Sequence, residues 1–182
     1  MKNIIAIIVL CVSLNAFSQK SHSEILNMTK EIKIIDRLYL DMTNLDKTEL
    51  DELTAHKLFR KFYGGIDQLP YDTKYYISGK ITTHPNFDLL VLYAEKNTSD
   101  SAKNFDLVLL TTRKDGTYIS MIDGASDNYY IRDNKMQHRK TRSYLYNSFT
   151  IKQENEISAM NKKYEAEYRI NEYGMIVFYP KS

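Results

Sequence analysis

Two segments of the chain, residues 87–95 and 105–113, are apolar on both faces of an extended backbone. Both follow the same letters, since NFDL occurs at Asn86 and again at Asn104. Side chains alternate between the two faces of a strand, so a strand that is apolar at successive positions must be covered on both sides. The spacer, residues 97–103, is polar and suits a hairpin loop. The sequence therefore predicts two neighbouring strands in the middle of one sheet, both shielded from water.

Further segments with an alternating pattern surround this pair. From Tyr71 onward, Tyr75, Ile77 and Ile81 share one face and polar residues share the other, which is typical of a strand with one wet side. The run Lys114–Gly116 predicts a hairpin turn, because glycine adopts the positive φ that closes a short loop. The other predicted strands are residues 117–123, 143–153, 163–170 and 175–179, and residues 124–142 are predicted to be irregular.

Two helices are predicted before these strands. Apolar residues in steps of three and four along residues 23–42 form one helical stripe. A strand over residues 31–41 is the alternative, because β-branched residues are frequent there. The second helix is predicted over Thr48–Tyr63, since Asp46 and Glu49 have the spacing of a capping box and two glycines follow where a helix ends through a left-handed residue.

The first eighteen residues have the pattern of a secretory signal peptide. A positive start precedes an apolar run from Ile4 to Val12 and an A-x-S site that ends at Ser18. The run is too short for a membrane-spanning helix, which needs about twenty apolar residues. We expect cleavage after Ser18 and export to the periplasm or the medium. An uncleaved N-terminal anchor or buried helix is the alternative.

The single cysteine of the chain, Cys11, lies inside this apolar run. A lipoprotein signal has a small residue before the lipidated cysteine, and Leu10 occupies that position, so lipidation is only the alternative interpretation. Cleavage after Ser18 leaves no cysteine in the mature chain. Disulfides, a cysteine nucleophile and a cysteine-ligated metal are then excluded.

Composition favours one β-rich domain. The chain has 15 Tyr and no Trp, and Tyr is frequent on pleated, half-buried surfaces. We expect residues 1–18 to be the signal peptide, residues 19–66 an N-terminal helical segment, and residues 67–182 an antiparallel sheet segment of the same domain. The predicted class is α+β, with an N-terminal helix or helices packed on an antiparallel β-meander of about seven strands.

Two turn patterns add a family resemblance. The strand and turn D-L-V-L-L-T-x-x-K-D-G ends at Gly116, and the late turn Y-x-I-N-E-x-G ends at Gly174. With an expected mature start at Gln19, these patterns resemble uncharacterised secreted proteins of the Bacteroidota. The resemblance implies a location in the cell envelope and no activity. Asp100-Ser101-Ala102 also resembles the short O-glycosylation signal of that phylum, so Ser101 is a candidate O-glycosylation site.

Motifs of known catalytic and metal sites are not found in the sequence. The four His are not spaced as metal ligands on a helix or strand. The stretch Gly124–Asp127 lacks the second glycine of a serine-nucleophile motif, and Gly64-Gly65 is explained by a helix end. We expect no catalytic residue, no cofactor and no metal. Enzyme activity nevertheless stays open, because a fold can assemble distant carboxylates for glycoside chemistry.

The most concentrated charge lies in residues 132–144, which tyrosines flank. Charge together with ring stacking can hold a polyanion, and a solvated loop is the simpler interpretation. Nucleic acid is not an expected partner, since the formal net charge of the chain is only +2. The candidate polyanion-binding residues are Arg132, Lys135, Arg139, Lys140 and Arg142.

The leading hypothesis is an exported, non-catalytic protein that binds an unknown protein or other component of the cell envelope. It depends on the absence of catalytic motifs beside a well-specified β core, and it includes no transmembrane segment after cleavage. The alternatives are a hydrolase of envelope glycans with carboxylates assembled by the fold, and a periplasmic immunity or inhibitor protein. A deep pocket with converging acids or histidines would favour the hydrolase.

Overall fold

The computed structural model describes residues 20–40, 45–96, 104–132 and 134–180, and for Arg132 and Ala159 it describes the backbone alone. The expected signal peptide and the glycosylation candidate Ser101 lie outside the described residues. The helices and strands are α1 (His22–Asn27), β1 (Arg37–Leu40), β2 (Thr48–Glu49), α2 (Glu52–Phe59), β3 (Thr73–Ile81), β4 (Asp88–Lys96), β5 (Asn104–Thr112), β6 (Tyr118–Arg132), β7 (Lys135–Tyr146), β8 (Thr150–Ile157), a 3₁₀ turn (Ser158–Met160), β9 (Lys162–Ile170) and β10 (Ile176–Phe178).

All ten described strands belong to one antiparallel sheet. Nine follow the order β10-β9-β8-β7-β6-β5-β4-β3-β2, and β1 pairs with β7 off this path. β7 changes partners along its length, because residues 135–141 pair with β6 and residues 143–146 pair with β1. β6 separates from β7 and pairs with β5 through residues 118–127. The sheet therefore divides into two halves, β2 to β6 on one side and β7 to β10 with β1 on the other.

The central strands β4 and β5 pair with each other and are buried on both faces, as the doubled apolar segment predicts. One face packs against the two helices, and the other packs against the second half of the sheet. The helix-side cluster contains Leu90, Leu92, Val108 and Leu110 of the sheet with Ile25, Ala55, Leu58 and Phe59 of the helices. The second cluster contains Leu89, Val91, Leu107 and Leu109 with Leu145, Ile151 and Ile170 of the other half.

The predicted α+β class with a seven-stranded meander is wrong. The described chain is mainly antiparallel sheet, and its two α-helices have only six and eight residues. Neither of these helices is long and apolar enough to cross a membrane. The predicted N-terminal helical segment, residues 19–66, contains both short helices and also the strands β1 and β2.

The helix predicted over residues 23–42 ends at Asn27. Beyond it the N–H of Ile32 donates to the carbonyl of Lys80 at 2.7 Å, and Arg37–Leu40 pairs with β7. The strand alternative therefore holds for the second part of this segment. β-branched residues lower the helix propensity, and backbone hydrogen bonds to neighbouring strands decide the outcome. The periodicity of the sequence does not show which strands will donate or accept these hydrogen bonds.

Residues 124–142, predicted to be irregular, form most of the β6–β7 hairpin. The polar composition of this segment led to the wrong prediction. Polar side chains are stable in a strand when they pair with side chains of the neighbouring strand. Asp127 lies opposite Lys140, and their charged groups are 3.1 Å apart. The predicted strand 143–153 is likewise two strands, interrupted at Phe149, which has φ +58°.

The predicted alternation in β3 is inverted at one position. Tyr75 and Ile77 face the helix-side cluster, whereas Ile81 faces the second cluster. The register passes from Ile77 opposite Leu92 directly to Gly79 opposite Val91. The extra residue is a β-bulge, which turns the following side chains to the other face.

Candidate ligand-binding cavity

A cavity of about 680 Å³ lies between α2, β3 and the loop of residues 67–71, and three other clefts in the described part of the chain are smaller. Its volume falls in the range of small-molecule sites, which run from roughly 300 to 1,000 Å³. Three separate segments form its walls, residues 49–56, 67–71 and 73–75. Their packing, described next, determines which side chains face the opening.

Helix α2 forms one wall and is held at its start by Asp51. The carboxylate of Asp51 accepts a hydrogen bond from the N–H of Thr54 at 2.9 Å and forms an ion pair with Lys20. Partial burial acts to raise the pKa of Asp51, but the hydrogen bonds from Lys20 and Thr54 prevail and lower it to about 2. Asp51 is therefore the true N-cap, and the predicted cap at Asp46 is wrong. The local reason is that Thr48–Glu49 pairs with β3 and cannot begin a helix.

The end of α2 sends the chain back toward β3. Gly64 and Gly65 both have positive φ, +80° and +81°, a conformation that glycine adopts without steric cost. The N–H of Gly65 donates to the carbonyl of Arg60 at 2.8 Å. The helix itself ends earlier, at Phe59, so the predicted role of the glycine pair in ending the helix is wrong, and the pair ends the turns that follow α2. The loop of residues 67–71 then passes over the opening between α2 and β3.

Tyr75 forms the back of the cavity. Its ring lies 4.9 Å from the ring of Phe59 and 6.3 Å from that of Tyr63, measured between centroids. Its hydroxyl donates to the carbonyl of Pro70 at 3.5 Å, which connects the loop to the strand. Aromatic neighbours in tilted and edge-on contacts add to the stability of such a wall. The back of the cavity is therefore part of the folded core.

Most of the inner lining is apolar. Leu53 is 44% exposed although it lies on a helix that otherwise turns apolar residues inward. An exposed leucine on its own needs no explanation, but this one faces a concave surface with other apolar groups. The apolar lining consists of Leu50, Leu53, Ala55, Leu69, Pro70 and Tyr75.

The polar and charged residues beside the cavity are Glu49, Glu52, His56, Asp67, Gln68, Thr73 and Lys74. Nε2 of His56 is buried and has no hydrogen-bond partner among the described residues. Glu52 is exposed at the rim. Glu49 and Lys74 also border the cavity, but they lie opposite Tyr76 and Glu95 on the neighbouring strands, so their side chains point to the other face of the sheet. Asp67 is on the rim as well and lies 3.8 Å from the guanidinium of Arg60. Of the acids beside the cavity, only Glu52 and Asp67 are therefore at its exposed edge.

A different pair of carboxylates, Asp106 and Asp123, is partly buried on the paired strands β5 and β6. Asp123 accepts hydrogen bonds from Ser126 at 2.9 Å and Arg139 at 3.4 Å, and Asp106 accepts one from Asn128 at 2.6 Å. Burial first, and then the charge of Asp106, raises the pKa of Asp123 to about 6. Burial likewise raises the pKa of Asp106. Neither residue lines the α2–β3 cavity or the three smaller clefts.

Further carboxylates lie on the outer face of β8 and β9. Glu154 lies directly opposite Glu165, and both line two clefts of about 310 and 210 Å³. Around them acids and bases alternate across the strands, as in the pair of Glu156 and Lys163 at 3.3 Å. Alternating charges on an open sheet face are typical of a solvated surface.

The five candidate polyanion-binding residues do not form one surface. On β7, Lys135 and Arg139 point to one face, and Lys140 and Arg142 point to the other, because side chains alternate along a strand. Arg139 and Lys140 already contact Asp123 and Asp127. Arg132 ends β6, where the structure describes only its backbone. Polyanion binding therefore stays a prediction, and the described residues of this set do not share one surface.

Sequence reasoning did not find the cavity. No motif in the sequence marks its lining residues. The only sequence signal is the apolar group Leu69-Pro70-Tyr71 in a short connection after two glycines. Connecting segments usually run over the protein surface. An apolar group in such a segment indicates that the loop packs against other apolar residues.

The chain gives no further lead by similarity. Comparison with models of protein families, with curated proteins and with solved structures found no match. In the part of the chain that the structure describes, His, Asp and Glu do not come together in threes as a metal site would require.

Proposed function

We propose that the protein is a non-catalytic binding protein of the cell envelope that holds its ligand in the α2–β3 cavity. The observation that carries the proposal is the cavity itself, which combines a volume of about 680 Å³ with a group of apolar lining residues, Leu50, Leu53, Leu69, Pro70 and Tyr75. A concave apolar site with a few polar groups is the usual form of a small-molecule site.

The distribution of the acids supports binding over hydrolysis. Glycoside hydrolysis uses two carboxyl groups on opposite sides of the scissile bond, one of them with a raised pKa. The carboxyl groups with raised pKa, Asp106 and Asp123, lie apart from the cavity. Of the acids beside the cavity, Glu52 and Asp67 are exposed, and Glu49 points to the other face of the sheet. This arrangement favours a site that holds a ligand over one that transfers a proton to it.

The proposed site is tested with Nile red, a neutral apolar dye whose fluorescence rises in apolar surroundings. We expect the purified protein to bind the dye, and we expect Leu53→Trp to weaken that binding at least about tenfold, because the larger side chain fills the cavity. Leu53 is 44% exposed, so the fold should tolerate the change. Fluorescence titration measures both dissociation constants.

The matched control is Ile131→Trp, which adds the same side chain on the β6–β7 hairpin, where Ile131 is 73% exposed. We expect it to leave dye binding unchanged. Equal binding by Leu53→Trp and the parent protein, or no binding by the parent protein, would overturn the proposed site. The chain has no Trp of its own, so each variant also carries a single fluorescent reporter.

The proposed location has its own test. When the full chain is expressed with its native N-terminus, we expect the mature protein in the periplasmic or secreted fraction, with a mass that corresponds to a start at Gln19. Cell fractionation and mass spectrometry of the intact protein measure both. A chain that keeps residues 1–18 and stays in the cytoplasmic fraction would contradict export.

A further inference from the structure

We propose that the outer face of β7, β8 and β9 is a second binding site, which takes a neutral oligosaccharide. The inference goes beyond the proposed function, because this face shares no lining residue with the α2–β3 cavity. A sheet face with charges of both signs is usual at a solvated surface. Three further observations set this face apart: two adjoining clefts, tyrosine rings beside one of them, and charged groups that do not form ion pairs across the strands.

Two clefts of about 310 and 210 Å³ adjoin on this face, and both are lined by Glu154 and Glu165. The first cleft reaches Tyr146 of β7, and the second reaches Lys140 of the same strand. Side chains on one face of a strand recur at every second residue, so the two clefts together extend about 20 Å along the strands. This length suits a short chain of sugar rings better than a single ring.

Tyrosine rings form one end of this surface. Tyr144 and Tyr146 line the first cleft. Tyr39 of β1 lies directly opposite Tyr144, with 5.0 Å between the ring centroids. All three side chains are half-buried, so part of each ring is accessible. One face of a pyranose ring consists mainly of C–H groups, and an aromatic ring presents a matching apolar surface to it.

The nearest cations leave room beside these rings. Arg37 lies 5.2 Å from the centroid of Tyr144, and Lys152 lies 5.4 Å from that of Tyr146. Both distances are near the outer limit of a cation–π contact, which is about 6 Å. A sugar ring can therefore contact the tyrosines without the loss of a close cation–π pair.

The charged side chains beside the clefts stay apart from their cross-strand neighbours. Arg142 lies opposite Glu154, and Lys152 lies opposite Glu167. Oppositely charged neighbours on paired strands attract each other, but among the described residues neither of these two couples forms an ion pair. Glu167 instead contacts Arg169 at 3.3 Å. Hydrogen-bonding groups of both kinds therefore remain available at the clefts.

This mixture of groups indicates the chemical class of the ligand. Arginine and lysine only donate hydrogen bonds, and an ionised glutamate only accepts them, whereas a hydroxyl does both. Neighbouring hydroxyls of one sugar can therefore donate to Glu154 and accept from Lys152. The two linings contain basic and acidic residues in nearly equal number. A ligand with a net charge of either sign would meet like charges here, so a neutral saccharide is favoured.

Isothermal titration calorimetry with hexasaccharides tests the inference. The protein is purified from the fraction in which the cell leaves it after expression of the full chain. The neutral probes are hexasaccharides of glucose, mannose, xylose and N-acetylglucosamine, and those of galacturonic acid and glucosamine are the charged comparisons. We expect at least one neutral probe to bind with a dissociation constant below about 1 mM, at least about tenfold more tightly than either charged probe. We expect about 0.5 M NaCl to change this affinity less than about twofold, because salt screens charges and the ligand has none.

The tyrosine variant is Tyr144→Ala with Tyr146→Ala, which removes the ring surface. We expect it to weaken binding of the neutral probe at least about tenfold, since tyrosines contribute strongly to binding sites. The matched control is Tyr71→Ala with Tyr173→Ala, which removes two tyrosines that are 89% and 68% exposed and lie away from this face. It should bind the probe as the parent protein does.

A second variant covers the case in which the half-buried tyrosines are needed for folding. Lys152→Ala with Glu154→Ala changes two exposed residues and keeps the net charge. We expect a loss of at least about fivefold, because hydrogen bonds from charged groups to the sugar are removed. Lys135→Ala with Glu172→Ala is its control, since it also removes one exposed charge of each sign, and it should leave binding unchanged.

The outcomes separate this inference from the proposed function. Absence of binding by every neutral hexasaccharide, tighter binding of a charged one, or undiminished binding by the Lys152 and Glu154 double variant overturns the inference. Leu53→Trp, which fills the α2–β3 cavity, should bind the neutral probe as the parent protein does. Failure of the cavity to bind the dye therefore leaves this inference standing, and failure of the saccharide test leaves the cavity as a binding site.

Discussion

Leu109→Ala is expected to lower the free energy of unfolding by about 2–5 kcal/mol. Leu109 is fully buried on β5 and belongs to the cluster that joins the two halves of the sheet. Its removal leaves a space that neighbours cannot fill, because β5 is hydrogen-bonded to β4 on one side and β6 on the other. Urea denaturation followed by circular dichroism measures the loss.

Val177→Ala is the matched control for this prediction. Val177 lies on the edge strand β10 and is 48% exposed. Its truncation removes little buried surface, and we expect a change within about 0.5 kcal/mol. A loss below about 1 kcal/mol for Leu109→Ala would mean that the two halves of the sheet are not packed as described.

Asp123→Asn is expected to raise the free energy of unfolding at pH 7, by at most about 3 kcal/mol. Burial, followed by the charge of Asp106, raises the pKa of this carboxyl from 3.8 to about 6, and one pKa unit corresponds to about 1.4 kcal/mol. The folded state thus binds the proton more tightly than the unfolded state. Stability falls as the pH rises from about 4 to about 6 and stays low above that range. Asn has nearly the same shape and carries no charge.

The pH dependence distinguishes this effect from a simple change in packing. We expect the advantage of Asp123→Asn over the parent protein to be large at pH 7 and to vanish near pH 4, as measured by urea denaturation at both values. Arg139 loses a partner in the variant, but its side chain is 48% exposed and the loss is small. The control Asp115→Asn changes an exposed carboxyl whose pKa is lowered by hydrogen bonds from Thr117, and it should not stabilise the protein at pH 7. A variant no more stable than the parent at pH 7 would refute the prediction.

Local turns were predictable because each depends on residues adjacent in the chain. Gly116 has φ +87° and closes the predicted turn after β5, where the N–H of Arg113 donates to the carbonyl of Thr117 at 2.7 Å. Gly174 has φ +81° in the late turn, and the side chain of Asn171 accepts from the N–H of Met175 at 3.0 Å. A positive φ favours glycine because glycine has no Cβ, and this steric preference is local.

The candidate site was not predictable, because its lining residues are separated in the chain. Leu53 and Pro70 belong to different elements, and only the pairing of β2 with β3 places α2 beside the loop of residues 67–71. The same holds for Asp106 and Asp123, which become neighbours through the pairing of β5 with β6. Chemistry that depends on such neighbours leaves no spacing motif in the sequence.

The sequence alone determined that two strands near the middle of the chain lie side by side and are covered on both faces. Both strands are apolar at successive positions, and the exposure of apolar surface to water is unfavourable. The sequence also determined where the chain turns at its glycines. The tertiary structure decided which residues cover these two strands. Strands β7 to β9 pack over β4 and β5 because β7 leaves β6 and pairs with β1 along its second part. It also decided that Arg37–Leu40 is a strand, and it created the cavity, because hydrogen bonds and packing between distant segments outweigh the weak preferences of each segment on its own.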